Sequence, residues 1–441
     1  MREVDTIIAG GTILTLDERD TRIEDGALAI ESDRIVGTGT SEEIKNQFAG
    51  RSLIDAKNCL VMPGLVNCHT HAAMTCFRGI ADDRELMTWL HDIIFPLEAK
   101  HVDPELAYWG SLLACAEMIK SGTTTFCDMY VFEDETARAA KRAGMRCLLG
   151  EGLLDFPSPN AATPADGLGY TRKLIETWTG DPLVNIIVHP HSLYACSPSV
   201  FAEAKKIADE YNLPYALHLL ENQAERLQLE QKFSKGVVAF LKESGYLTES
   251  FLAYHCVALD NEDISVLADH GCKAIHTPES NMKLGSGVAP VPAMLEAGMT
   301  VGLGTDGPAS NNNLDMFREM DMTAKLHKVA GLDPTVMDAR TVIRMATCEG
   351  ANALGLGSVT GSLEPGKKAD IIILNMRRPH LTPLYHDYSQ LVYAAGSADV
   401  DTVIINGKLV MRNRTLLTIN EKEVMAKVRE IAGQIIRSLP A

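Results

Sequence analysis

The chain has no basic excess. Its 441 residues carry 41 Lys and Arg against 58 Asp and Glu, a net charge of -17. That balance argues against a nucleic-acid surface and against binding to anionic membranes, and it leaves small neutral or cationic substrates open. Long uncharged apolar runs are also missing, so no bilayer-spanning segment is expected. The opening stretch MREVDTIIAGG has no apolar core flanked by basic residues, so no signal peptide is expected. No Cys-x-x-Cys pair occurs among the ten cysteines. Most of them, such as Cys115 and Cys147, sit in apolar contexts, which reads as reduced, buried thiols in a cytoplasmic protein.

Hydrophobic residues make up 46% of the chain, enough for a large core. The two ends look alike. VDTIIAGGTILTLD near the start and VDTVIINGKLVMRN near the end each read as strand, tight turn, strand. Strand-like pieces follow at GALAIESDRIVGTG and ADIIILN. These predict a small β-sandwich assembled from both termini, residues 1–61 and 366–441, the latter including a C-terminal helix. Between them, over 62–365, short β-rich runs alternate with helical stretches, the pattern of a parallel sheet with crossover helices. Eight runs are legible: VMPGLVNCHTH, GTTTFCDMY, MRCLLGEGLL, VNIIVHPHS, PYALHLLEN, FLAYHCVAL, CKAIHTPES and TVGLGTDGP. Eight β/α units predict a closed (β/α)8 TIM barrel, an α/β fold. An open doubly wound sheet is the alternative, weakened because no Gly-x-Gly-x-x-Gly follows the first strand.

Barrel enzymes place their chemistry at the C-terminal ends of the strands. Seven of the thirteen histidines fall there: His69, His71, His189, His191, His218, His255 and His276. The last run ends in Asp306, and Glu221 lies three residues after His218. Each signal alone has a bland reading. His-x-His arises by chance, His218 fits a satisfied core histidine, and Asp306-Gly307-Pro308 is strong turn chemistry. Their placement on one rim is the stronger evidence. Three imidazoles and one carboxylate suit Zn²⁺, with Fe²⁺ or Mn²⁺ as alternatives, and leave a coordination position for water. His189 and His276 read either as groups that support the ligands from behind or as packed polar residues, with the structural role favoured. His91, His101, His270, His327, His380 and His386 read as ordinary surface or core residues. Asn311, Asn312 and Asn313 read as caps for the next helix rather than as substrate contacts.

The motifs PGLVNCHTH, SGTTTFCDM, PHSLYACS, HLLEN, HCVAL, HTPESNMKLGSGVAPV, GLGTDGPASNNNLDMFREM, ATCEGANALGLG and GSLEPGKKADIIIL cover nearly the whole chain in one order. In that set the sequence resembles the amidohydrolase superfamily, in its deaminase and chlorohydrolase branch, and within it the 5-methylthioadenosine/S-adenosylhomocysteine deaminase family. The resemblance implies one divalent metal ion held by His69, His71, His218 and Asp306. It implies that Glu221 contacts the substrate ring and shuttles protons, that His255 sits beside the catalytic water, and that His191 contacts substrate. It also implies that Trp89 lines the pocket and that Glu98 binds ribose hydroxyls. Without the resemblance, Trp89 and Glu98 read as parts of an amphipathic helix with a surface carboxylate.

These residues suit hydrolytic deamination of an aminopurine. A metal lowers the pKa of its water from ~15.7 to about 7. Asp306 takes the water proton, and a protonated Glu221 donates to a ring nitrogen. The fourth run contains no lysine to bridge two metals, so one metal is expected. Expected substrates are adenine nucleosides: 5-methylthioadenosine, S-adenosylhomocysteine, adenosine or 5-deoxyadenosine. The alternatives are a guanine-like or cytosine-like base, hydrolytic dechlorination of a triazine, and a non-catalytic barrel scaffold. One departure stands out. Some relatives place arginines after the third strand to bind the far end of the substrate, whereas here LLGEGLLDFPSP has Glu151 and no arginine before Arg172. An amino-acid tail wants a cation, so S-adenosylhomocysteine is the less favoured substrate. A homo-oligomer is compatible with a cytoplasmic enzyme of this kind, although no stripe in the sequence marks one.

Overall fold

Runs made mostly of apolar or small residues form strands buried on both faces, as a parallel sheet covered by helices requires. Thr123–Tyr130 and Tyr215–Leu219 are buried throughout. The computed structural model describes residues 1–233 and 236–438. Its barrel strands are Leu65–Thr70, Thr123–Tyr130, Arg146–Leu153, Val184–Ile186 with His189–Pro190, Tyr215–Leu219, Phe251–His255, Lys273–His276 and Val301–Leu303. Every pairing between neighbours is parallel. The fourth strand is broken after Ile186. Bridges from Val188 to Tyr215 and from Ser192 to His218 then carry the ladder on to the fifth strand. The circle closes where the Asp306 N–H donates to the His69 carbonyl at 2.9 Å. Gly304 permits that approach, because a Cβ there would meet the His69 backbone nitrogen at 2.7 Å.

The helix starts follow the sequence signals. Asp103 caps Pro104–Lys120 through the Leu106 N–H, and Ser197 caps Pro198–Tyr211 through the Val200 N–H. Among the described residues no helix is long and apolar enough to cross a membrane. All ten cysteines are free, and all but Cys59 are buried.

The termini do combine into one β-rich unit, whose nine strands join in one hydrogen-bonded sheet. Arg2–Leu14 pairs with Arg22–Glu31 along most of its length, with Phe48–Asp55 over its first half, and with Cys59–Pro63 at its end. The register shift between Ala9 and Gly11 adds a residue to the first strand, so Ile8 and Ile13 share one buried cluster despite opposite parity. Cys59–Pro63 then pairs with Ile371–Asn375 from the far end of the chain. The run VMPGLVNCHTH therefore serves two sheets, with the change at Gly64. A side chain there would meet Thr124 at 2.1 Å, so the two units come too close for any other residue. The C-terminal segment also supplies helices that cover the barrel. Asp387–Tyr393 packs on Met316–Gly331 and Ala339–Met345, and Glu421–Ile436 packs on Pro104–Lys120.

Barrel and terminal sheet are joined by a buried ion pair. Arg146, which begins the third barrel strand, donates from Nε to Asp370 Oδ2 at 2.8 Å, and also to Asn406 Oδ1 and the Pro182 carbonyl. Asp370 also accepts from the Asn406 N–H at 2.7 Å. Arg146→Ala leaves a buried carboxylate unpaired and is predicted to cost about 3–5 kcal/mol in guanidinium unfolding. A loss below about 1 kcal/mol, the range of surface pairs, contradicts the assignment.

Candidate metal centre and substrate cavity

Three strand ends bring His69, His71, His218 and Asp306 together, and a fourth adds His255. Two overlapping groups, His69–His71–Asp306 and His69–His218–His255, each have candidate ligand atoms within 4.8 Å of one another. The rings are oriented from behind. His71 Nδ1 contacts the Met129 carbonyl, His218 Nδ1 lies 2.9 Å from the His191 carbonyl, and His255 Nδ1 lies 2.9 Å from Asn281 Oδ1 and from Thr277 Oγ1. In each case Nε2 is left facing the cluster. Asp306 is held in the same way. Its Oδ2 accepts from Ser280 Oγ at 2.6 Å and Ser310 Oγ at 2.8 Å, while Oδ1 lies 3.1 Å from His71 Nε2 and 3.4 Å from His69 Nε2.

His69 provides the test of whether a cation fits. It is wholly buried, and neither ring nitrogen has a hydrogen-bond partner. Its ring stacks on Tyr254, centroids 3.9 Å apart, and Tyr254 is held by His189 Nε2 at 2.8 Å. Burial pushes His69 down to about 3 and His218 well below the usual imidazole range, so both stay neutral, the form a metal requires. Burial opposes ionisation of Asp306, but the His69 and His71 rings beside it hold it well below the usual carboxylate range. A buried, ionised, acceptor-only oxygen beside unpartnered imidazoles fits a divalent cation. Left-handed backbone at Leu220, His255, Cys256 and Asp306, with φ between 50° and 66°, marks the same strand ends. Non-glycine residues held there store strain, and such strain concentrates at functional sites.

A cavity of about 330 Å³ opens above the cluster. His71, His191, His218, Glu221, His255 and Asp306 line it, as do Trp89 and Glu98. The resemblance-based set is therefore assembled in one place, with His69 buried at its floor. Trp89 and Glu98 come from a helical segment, Leu86–His101, that widens into a π turn over Trp89–Ile94. Glu221 Oε2 lies 3.9 Å from His255 Nε2, and burial raises the Glu221 carboxyl. Glu98 Oε1 accepts from the Tyr130 hydroxyl at 2.6 Å.

A match to the amidohydrolase family extends over residues 60–410. The chain belongs to the amidohydrolase family. It is 62% identical over 439 residues, covering 100% of this chain and 99% of the relative, to a 5-methylthioadenosine/S-adenosylhomocysteine deaminase 1 of Syntrophus aciditrophicus. It is 52% identical, over 98% of each chain, to a 5-methylthioadenosine/S-adenosylhomocysteine deaminase of Syntrophobacter fumaroxidans. Among solved structures it superposes on an adenosine deaminase from Xanthomonas campestris with bound zinc, with TM-score 0.97, 35% identity and 99% of each chain covered.

Other polar residues of this amidohydrolase take different places. His189 bridges the Gly150 carbonyl and Tyr254, and His276 pairs with His327 at 3.2 Å; neither lines the cavity. His91, read as ordinary, lines it. The three asparagines are not helix caps. Asp315 caps Met316–Gly331, while Asn311 joins the Thr305 carbonyl to Glu319 and Asn313 joins Glu279 to the Asp315 N–H, so they brace the loop after Asp306. Tyr130, Ser280, Ser310, Thr277 and Asn281 were not singled out from sequence. The available signal was position: each stands at, or a few residues beyond, a barrel strand end.

Ser280→Ala with Ser310→Ala frees Asp306 Oδ2. The double variant is predicted to weaken metal affinity by about 10- to 100-fold in chelator competition while leaving the fold intact. Unchanged affinity contradicts the bracing role.

Proposed function

We propose that this amidohydrolase is a metal-dependent hydrolase that deaminates an adenine nucleoside, replacing the 6-amino group by oxygen and releasing ammonia. His69, His71, His218 and Asp306 hold one divalent cation, and zinc is the cation assigned, as in the similar Xanthomonas campestris protein. The observation that carries the reading is the pairing of two features in one cavity. The ligand set with Glu221 occupies the deep end, and Glu98, braced by Tyr130, stands beyond the His71 ring, whose centroid is 6.4 Å from that of Tyr130. A nucleoside needs both: chemistry at the base and a carboxylate for the ribose hydroxyls. A free base or a chlorotriazine has no use for the second.

The bound cation supplies Lewis acidity and a water of lowered pKa. Asp306, ionised and fixed by two serines, accepts a proton from the attacking water. Glu221, raised by burial, gives its proton to the ring nitrogen beside the attacked carbon, so negative charge does not build up on the ring. His255, fixed by Asn281 and Thr277, directs Nε2 toward the reacting oxygen. Asp306 then passes its proton to the amino group, the carbon–nitrogen bond breaks and ammonia leaves. Glu221 recovers its proton from the new hydroxyl, leaving the ring carbonyl. His191 and Trp89 complete the walls around the base.

Ammonia release on a panel of adenosine derivatives, guanine, cytosine and chlorotriazines tests the reading, and silence on every adenine nucleoside overturns it. Glu221→Gln is predicted to keep one metal per chain and lose about 10²- to 10⁴-fold in kcat. Near-normal turnover removes Glu221 as the proton shuttle. Glu98 gives a pH prediction. Burial raises it to about 7, against the hydrogen bond from the Tyr130 hydroxyl. The ionised form is the stronger acceptor, so KM for adenosine should fall as pH rises through about 7 and level off above it. Glu98→Gln should flatten that profile and raise KM at alkaline pH, and an unaltered profile contradicts the ribose assignment.

A further inference from the structure

If the reacting carbon lies against Glu221 and Asp306 and the ribose against Glu98, the 5′ substituent points to the cavity mouth. This step rests on the reading above. The mouth is walled by Leu90, Ile94 and Phe95 from the helical segment and by Leu154, Phe156 and Pro157 from the loop after the third strand. Phe95 and Phe156 pack together with ring centroids 5.5 Å apart and planes tilted by 53°. Among the described residues no lysine or arginine lines the cavity. His91, the one basic side chain at this end, sets its ring edge-on to Phe95 at 5.4 Å.

The loop side of the wall is anchored on both sides of Phe156. Glu151 does not line the cavity. Its buried carboxyl faces the other side of the strand, accepting from Asn160 Nδ2 at 2.5 Å and from the Glu133 N–H at 3.2 Å. The Asp155 N–H donates to the Ala195 carbonyl at 2.9 Å, and Ser158 and Ala161 exchange backbone hydrogen bonds. Phe156 and Pro157 are thus held between anchors at Asp155 and Asn160.

We propose that Phe95 and Phe156 are specificity-determining residues, forming a cation-free subsite that accepts uncharged 5′-alkylthio or 5′-deoxy substituents and disfavours an amino-acid tail. A methylthio group meets aromatic faces that suit a polarizable sulfur. The carboxylate and ammonium of a homocysteine tail exchange water for phenyl and prolyl surface with no partner of opposite charge. The relatives' name joins the two substrates, whereas this cavity separates them.

The test compares kcat/KM for 5′-deoxyadenosine, 5-methylthioadenosine, 5′-butylthioadenosine and S-adenosylhomocysteine on the metal-loaded enzyme. The butylthio compound matches the homocysteine chain in length without its charges. It should exceed S-adenosylhomocysteine by about tenfold or more, and Phe156→Arg should shift that ratio toward S-adenosylhomocysteine by about tenfold. A wild-type enzyme that handles the two equally, or prefers S-adenosylhomocysteine, overturns the subsite while leaving deamination standing. An unchanged ratio in a folded Phe156→Arg enzyme removes Phe156 as a determinant. Inactivity on all four compounds overturns the subsite, and inactivity on adenosine as well overturns the deaminase reading itself.

Discussion

The structure depends on one uncompensated group: the His69 imidazole, wholly buried with both nitrogens unpartnered. A buried polar atom left unsatisfied costs about 1–3 kcal/mol. His69 sits where four other groups, His71, His218, His255 and Asp306, turn donor or acceptor atoms inward as well. Their outward atoms are all taken, by the Met129 and His191 carbonyls, Asn281, Thr277, Ser280 and Ser310. The inward atoms are left for something outside the polypeptide. A cation at that point satisfies the whole set, and the strained strand ends at Leu220, His255 and Asp306 are the backbone consequence of aiming them there.

The rest of the barrel serves this convergence. Gly304 lets the eighth strand close on the first, so Asp306 arrives beside His69. His189 and Tyr254 form a support beneath the His69 ring. The loop after Asp306, braced by asparagines on Glu279 and Glu319, delivers Ser310. From that floor the cavity changes character along its length, from imidazole and carboxylate at the deep end to phenylalanine, leucine and proline at the mouth. The deep end matches hydrolysis at an aminated ring carbon, and the mouth matches the apolar end of its substrate.

Much of this was legible in the sequence, because strand period and strand ends are local. The His69–His71 spacing puts both rings on one face of a strand, and eight β/α repeats put every strand end on one rim. What escaped was decided by distant partners. Nothing around Ser280 or Ser310 says that both hydroxyls meet one oxygen of Asp306. Tyr130 gains its role only when the helical segment brings Glu98 to it. The asparagine run resembled a cap, yet Asp315 lies closer to the helix and takes that place. VMPGLVNCHTH reads as one strand because its first half is continuously apolar; the crowding of Gly64 against Thr124 marks where it divides between two sheets. Whether Glu151 meets the substrate tail is not legible in the sequence; strand alternation turns it away from the cavity. The lysine-free fourth strand and the arginine-free third loop were readable at once, and both shape the present account.

The most direct test of the central claim is anomalous X-ray diffraction at the zinc edge on crystals of the enzyme loaded with zinc. One peak per chain is expected, bonded to the rings of His69, His71 and His218 and to Asp306, with His255 close by but unbonded. Two peaks, a peak outside this cluster, or His255 standing in place of His218 as a ligand would contradict it.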